Sequence, residues 1–92
     1  MSVVIVGGNE CMQRRYAEVC RDYNCKAKVF LQMNGGLRDF GTPDLLVLFT
    51  GTVSHKMIRC ALSKTDPRRT RIARSHSASV AALRSIMEAH VG

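Results

Sequence analysis

Ninety-two residues set the length of one small domain, which buries only about 60–65% of its unfolded surface and has a modest core of its own. Fourteen Lys/Arg against seven Asp/Glu give a net charge of +7, of which +1 falls in residues 1–50 and +6 in residues 51–92. That excess, densest at Arg68, Arg69, Arg71 and Arg74, favours anionic partners. With two Tyr, three Phe and no Trp, stacking platforms for single strands are thin, and nucleic acid is expected only as a weak, nonspecific partner.

Ser2 to Val6 is a short apolar run ending in Gly7-Gly8-Asn9. It predicts a buried parallel strand with a tight turn at its carboxyl end. Asn9 is placed to cap a following helix, with Glu10 at the positive end of its dipole. Met12, Tyr16, Val19, Cys20 and Tyr23 form the buried stripe of that helix, and Asn24 ends it. Lys26 to Gln32 predicts a second strand, an edge strand because lysines alternate at its start. The connector from Met33 to Pro43 holds Asn34-Gly35-Gly36, Leu37, Phe40 and Gly41-Thr42-Pro43, with room for one or two helical turns at most.

Leu45-Leu46-Val47-Leu48-Phe49 is apolar throughout and predicts the central strand. The turn Thr50-Gly51-Thr52-Val53-Ser54 then leads to His55 and a helix reaching Lys64, capped by Thr52 or Ser54. Met57, Ile58, Ala61 and Leu62 give this helix its buried stripe, and Thr65-Asp66-Pro67 stops it. Arg68 to Arg74 alternates Arg with Thr, Ile and Ala and predicts the opposite edge strand. Ser75-His76-Ser77-Ala78-Ser79 is a turn rich in caps, and Val80, Leu83, Met87 and Val91 mark a last amphipathic helix.

This alternation predicts an α/β fold: a small open parallel sheet of four strands joined by right-handed crossovers. The two wholly apolar strands belong at the centre and the two Lys/Arg-laced strands at the edges. The expected order is 2-1-3-4, a truncated flavodoxin-like three-layer sandwich spanning residues 1–92. A parallel crossover normally takes a dozen or more residues, usually helical. The short connector therefore leaves one sheet face thinly covered, which predicts a homo-oligomer or a ligand against it.

Four cysteines, Cys11, Cys20, Cys25 and Cys60, are expected to be free thiols. The chain opens directly into a strand without a signal peptide, and its apolar runs are too short for a bilayer, so a cytoplasmic protein with no membrane contact is expected. The spacings Cys20/Cys25 and His55/Cys60 do not suit a zinc site. Cys11 is the thiol whose anion a helix start would favour, which keeps a thiol-dependent enzyme among the readings.

In the order 2-1-3-4 the switch point lies between strands one and three, where ligands of open α/β sheets bind. Gly7, Gly8 and Asn9 then face Thr50, Gly51, Thr52, Ser54 and His55 across a crevice, with Arg74, Ser75, His76 and Ser77 beside it. Three helix N-termini converge there, so an anionic small molecule, such as a nucleotide-like phosphate, is a natural guest. The plain alternative is that these Ser and Thr residues only cap helices. Neither a full G-x-G-x-x-G nor a phosphate-loop Lys-Ser/Thr is present. A neutral His55 or His76 at such a rim can ligate iron, contact a phosphate or move a proton. His90, in the last helical turn, is expected to be structural.

Val3-Val4-Ile5-Val6-Gly7-Gly8, Asn34-Gly35-Gly36-Leu37, Thr52-Val53-Ser54-His55 and Arg74-Ser75-His76-Ser77 come in an order and spacing that resemble the bacterial family catalogued as domain of unknown function 2325. In place of that family's longer basic helix with a Lys after Val-Ser-His, this chain has Lys56, Arg59 and Lys64. The resemblance implies a Rossmann-like fold, no established enzyme activity, and haem binding by homo-oligomers. In that reading His55 is an axial ligand to the haem iron, and Arg68–Arg74 with the helix N-termini meet the propionates. The residues alone place a phosphate-binding sensor module first and the resemblance places haem first; a thiol or phosphoryl-transfer enzyme comes third.

Overall fold

A computed structural model of the chain describes residues 1–30 and 42–91. The expected residues 31 and 32 of the second strand, the Asn34-Gly35-Gly36-Leu37 segment, Phe40 and Gly41 lie outside the described residues. Strand β1 spans Ser2–Val6, a 3₁₀ turn Glu10–Met12, helix α1 Gln13–Asp22, strand β2 Lys26–Phe30 and strand β3 Leu45–Phe49. Helix α2 spans His55–Ser63, strand β4 Arg71–Ser75 and helix α3 Val80–His90. The sheet is parallel in the order β2-β1-β3-β4, the α/β Rossmann-like arrangement expected.

The order reverses direction at β1, and right-handed crossovers then place successive helices on opposite faces. Val3, Ile5, Leu45, Val47 and Phe49 pack beneath α1 and α3 through Tyr16, Val19, Cys20, Leu83 and Met87. Val4, Val6, Leu46 and Leu48 pack beneath α2 through Met57 and Ala61. Alternation along each strand divides the two cores. All five residues of β3 are buried, so this strand can present polar groups only at its ends.

The C-terminus of α1 shows how local sequence closes an element. Asn24 adopts φ 60°, the left-handed conformation that Asn tolerates better than most residues. Its N–H donates to the Arg21 carbonyl (2.9 Å), and that of Cys25 reaches back to the Cys20 carbonyl (2.8 Å). These two bonds form a Schellman motif, whose characteristic apolar pair is filled here by Cys20 and Cys25, both buried. On α2 it is Ser54 that caps, accepting from the Met57 N–H at 3.2 Å.

The alternation of residues 68–74 predicts a strand from Arg68, but β4 begins at Arg71. Asp66 is the reason. Its carboxylate accepts the Arg68 N–H (2.9 Å), and its carbonyl takes the N–H groups of Arg69 (3.0 Å) and Thr70 (2.9 Å). Donors folded into a turn are lost to the ladder. Arg68 and Arg69 thus sit before β4, at the end of the sheet away from His55 and His76.

Cysteines 11, 20, 25 and 60 are free thiols. Burial, with a smaller contribution from Cys25 beside it, pushes the Cys20 thiol from 9.0 up to about 11. The folded chain therefore holds this proton more tightly than the unfolded chain. Unfolding free energy should stay level below about pH 9 and fall as pH rises toward about 11. Denaturant unfolding at stepped pH tests this, and Cys20→Ala should flatten the slope. With a disulfide reagent at neutral pH, exposed Cys11 should react at once, Cys20 and Cys25 only on unfolding.

Candidate functional site

The carboxyl ends of β1, β3 and β4 do come together, through specific bonds. Gly7 and Gly8 have φ 93° and 105°, a region open to glycine and costly for other residues. A Cβ on Gly7 would stand 2.6 Å from Val53 Cγ1, and one on Gly8 would stand 2.7 Å from Tyr16 Cε2. The β1 corner is glycine because the β3 corner and the α1 aromatic press against it. The Gly7 N–H donates to the Phe30 carbonyl (2.8 Å). The Gly8 N–H donates to Thr52 Oγ1 (2.7 Å), and the Asn9 N–H to Tyr16 Oη (3.1 Å). Asn9 itself caps the 3₁₀ turn, its Oδ1 accepting from the Cys11 N–H (3.0 Å).

Three successive N–H groups of this loop are therefore bonded within the protein. A phosphate cradle needs such donors pointing at the ligand. Here the loop offers shape and close backbone approach, while its donors hold the corner shut.

The β3 and β4 corners meet in a similar way. The Thr50 N–H donates to the Ser75 carbonyl (2.8 Å). A Cβ on Gly51 would overlap the His76 carbonyl and lie 3.1 Å from its Nδ1, so glycine is what lets the His76 ring rest there. Thr52 does not cap α2: it accepts from Gly8 and donates to the Phe49 carbonyl (3.0 Å). Ser75 Oγ donates to the Ser77 carbonyl (2.8 Å), Ser77 Oγ to Ser79 Oγ (3.2 Å), and Ser79 caps α3 by accepting from the Ala82 N–H (3.1 Å). Capping accounts for Ser54, Ser79 and Asn9, but Thr50 and Thr52 link corners.

His55 is the first residue of α2 and is exposed. It lies three and seven residues before Ile58 and Leu62, so the three share one flank of the helix. Both apolar residues are half-buried against the α2-side core. Arg74 follows Ile72 by two on β4 and shares its face, because strand side chains alternate; Ile72 packs on the α2-side core, so exposed Arg74 borders that flank. Of the arginines expected at the crevice, Arg74 alone is at this end. Cys11 is exposed, and no described bond joins its thiol to a histidine or a carboxylate.

Tyr16 is the residue that periodicity underrates. Its hydroxyl donates to the Ala78 carbonyl (2.5 Å) while accepting from Asn9, and its ring lies 5.4 Å from that of Phe49. A stripe position predicts burial, and only a polar tip on a wholly buried ring hints at partners 7 and 62 residues away.

The family model described as "Uncharacterized protein conserved in bacteria (DUF2325)" matches residues 2–90. The chain belongs to this family. No curated protein and no solved structure matches it. Within this DUF2325 chain, three of the four signatures lie among the described residues: the Val-Gly-Gly and Thr-Val-Ser-His segments meet at Thr52, and Ser75-His76 closes on Thr50-Gly51.

Two substitutions test the corner. Tyr16→Phe leaves a part-buried N–H and a part-buried carbonyl without their partner, a cost of about 1–2 kcal/mol, or a melting temperature lower by roughly 5–15 °C for a domain this size. Gly8→Ala should cost more, because it meets both the φ restriction and the Tyr16 ring. Thermal unfolding followed by circular dichroism reads both.

Proposed function

We propose that this protein is a non-enzymatic, homo-oligomeric haem-binding protein in which His55 is the axial ligand. The observation that carries the reading is the α2 flank: an exposed imidazole with no hydrogen bond or ion pair among the described residues heads a stripe of half-buried Ile58 and Leu62. Haem iron brings four nitrogens of its own and needs from the protein one or two axial groups, an apolar wall and cations for its propionates. Those residue types fit the group. His55 supplies the axial nitrogen, Ile58, Leu62 and Ile72 the wall, and Arg74, Lys56 and Arg59 the nearby positive charge.

One protomer offers one such wall, and a porphyrin has two faces. A second copy presenting the same flank supplies the other, which unites the ligand with the oligomer expected from the thinly covered sheet face. Bound haem would bring iron-centred redox or gas-ligand chemistry, and the chain's own contribution is to ligate, orient and exclude water.

The alternative, a sensor module for a nucleotide-like phosphate at the β1/β3 switch point, draws support from the N-termini of α2 and α3, where Ser54 and Ser79 each satisfy one N–H and leave the first-turn donors pointing outward. It draws little from Gly7, Gly8 and Asn9, whose N–H groups are taken. A thiol enzyme through Cys11 has no base hydrogen-bonded to the sulfur among the described residues.

Titration with hemin decides between them. A sharp Soret band saturating at a fixed haem-to-protomer ratio is expected, lost in His55→Ala and retained in His76→Ala, with light scattering reporting an oligomer. A band unchanged in His55→Ala removes His55 as ligand. A colourless protein whose melting temperature rises with nucleotides would put the phosphate reading first.

A further inference from the structure

We infer that the turn joining α2 to β4 is a docking surface for the phosphate backbone of double-helical nucleic acid. Lys64, Arg68, Arg69 and Arg71 are all exposed, four cations within eight residues that contain one acid, Asp66. Parallel pairing of Leu45 with Arg71 and of Phe49 with Ser75 puts this turn at the amino end of the sheet, opposite His55 and His76. Lys64, Arg69 and the Asp66 carboxylate line a recess of about 90 Å³ there, together with Thr42, Thr65 and Thr70.

The turn is built to hold its shape. Thr65 and Thr70 are buried, 9% and 2% exposed. The Thr65 hydroxyl donates to the Ala61 carbonyl (2.8 Å) and that of Thr70 to the Pro43 carbonyl (2.5 Å). Asp66 closes the loop between them through the Arg68, Arg69 and Thr70 N–H groups. Side chains on a backbone fixed this way lose less freedom when they bind.

The cations have no evident task inside the fold. The last carbonyls of α2 are already taken, Cys60 by Ser63 Oγ (2.7 Å), Ala61 by the Lys64 N–H (3.2 Å) and Leu62 by the Thr65 N–H (3.1 Å). The Arg69–Asp66 pair is 3.9 Å long, with Arg69 76% exposed, and such pairs contribute little. Lys64, Arg68 and Arg71 make no ion pair among the described residues.

The absence of apolar anchors favours nucleic acid over an acidic protein. Protein interfaces centre on aromatic or apolar residues, and Met1, two strands away from β4, is the one large hydrophobic side chain exposed among the described residues. A phosphate backbone needs cations and small polar groups, and guanidinium forks match its oxygens. Without exposed aromatics, a stacked single strand is disfavoured.

The test is fluorescence anisotropy with a labelled random-sequence DNA duplex, and an RNA duplex of equal length to tell the two helices apart. Three phosphate contacts predict an affinity that falls about fortyfold between 50 and 200 mM salt. Arg68→Gln/Arg69→Gln/Arg71→Gln should bind about tenfold or more weakly at low salt, with a log–log slope shallower by about 2.7. Arg14→Gln/Arg15→Gln/Arg21→Gln, which removes the same charge from α1, should bind like the parent. The Lys-for-Arg triple variant at 68, 69 and 71 should keep the slope, which holds the test open if the Gln variant fails to fold. Equal weakening in the Gln variants, loss of slope in the Lys variant, or no binding at low salt would overturn the inference. So would polyglutamate displacing the duplex as well as unlabelled duplex does at equal charge, which would point to an acidic protein instead. None of these outcomes involves the α2 flank, so this surface and the haem reading stand or fall separately.

Discussion

One buried tyrosine holds the carboxyl end of this sheet in shape. Tyr16 Oη accepts from the Asn9 N–H and donates to the Ala78 carbonyl, joining the turn after β1 to the turn after β4 across the α1 layer. Its ring fills the space that a side chain on Gly8 would need and packs on Phe49 at the end of β3. Those contacts reach three corners, so the corners are set relative to one another by a single side chain with no solvent exposure. A buried hydroxyl with both a donor and an acceptor matched is an arrangement that tolerates little displacement.

Tyr16 and Thr52 together change what the glycine corner can do. In a dinucleotide-binding turn the glycines let a pyrophosphate approach open backbone donors. In this chain the same freedom lets Thr52 and the Tyr16 ring approach instead, and the donors of Gly7, Gly8 and Asn9 end on protein oxygens. A ligand at this end therefore has to be held by what the corner leaves outside: the starts of α2 and α3, two exposed imidazoles and the apolar flank of α2. Binding by an axial nitrogen and an apolar wall suits that inventory better than binding by a ring of backbone amides.

The sheet order was legible because it depends on composition along whole strands. β1 and β3 are apolar at every inner position and β2 and β4 are interrupted by Lys or Arg; of the two orders that bury the former between the latter, 2-1-3-4 is the one that keeps consecutive strands β1 and β2, and β3 and β4, side by side. The caps were legible where the partner lies two or three residues away, as for Asn9, Ser54 and Ser79. What local patterning does not carry are bonds between distant segments: Thr52 to Gly8 spans 44 residues, Tyr16 to Ala78 spans 62 and Thr70 to Pro43 spans 27. The start of β4 was misplaced for a related reason. Residues 68–74 alternate as a strand does, but Asp66 takes up the first N–H groups, and a competing side-chain turn is invisible to a count of period two.

A strand buried on both faces forces chemistry to its two ends, and β3 is about 17 Å long. The helices give those ends opposite electrostatic character, with N-termini and their positive dipole ends by His55 and His76 and C-termini at the other. Four cations crowded into residues 64–71 repel one another, and one carboxylate does not neutralise them. The C-terminal end of α2 lies at Lys64 and contributes partial negative charge to that crowd without adding an anion to its surface. The fold can thus gather arginines at one end around a single carboxylate, Asp66, while at the other end the positive pole of α2 lies beside the exposed His55. The same helix serves both ends, through opposite poles of a single dipole.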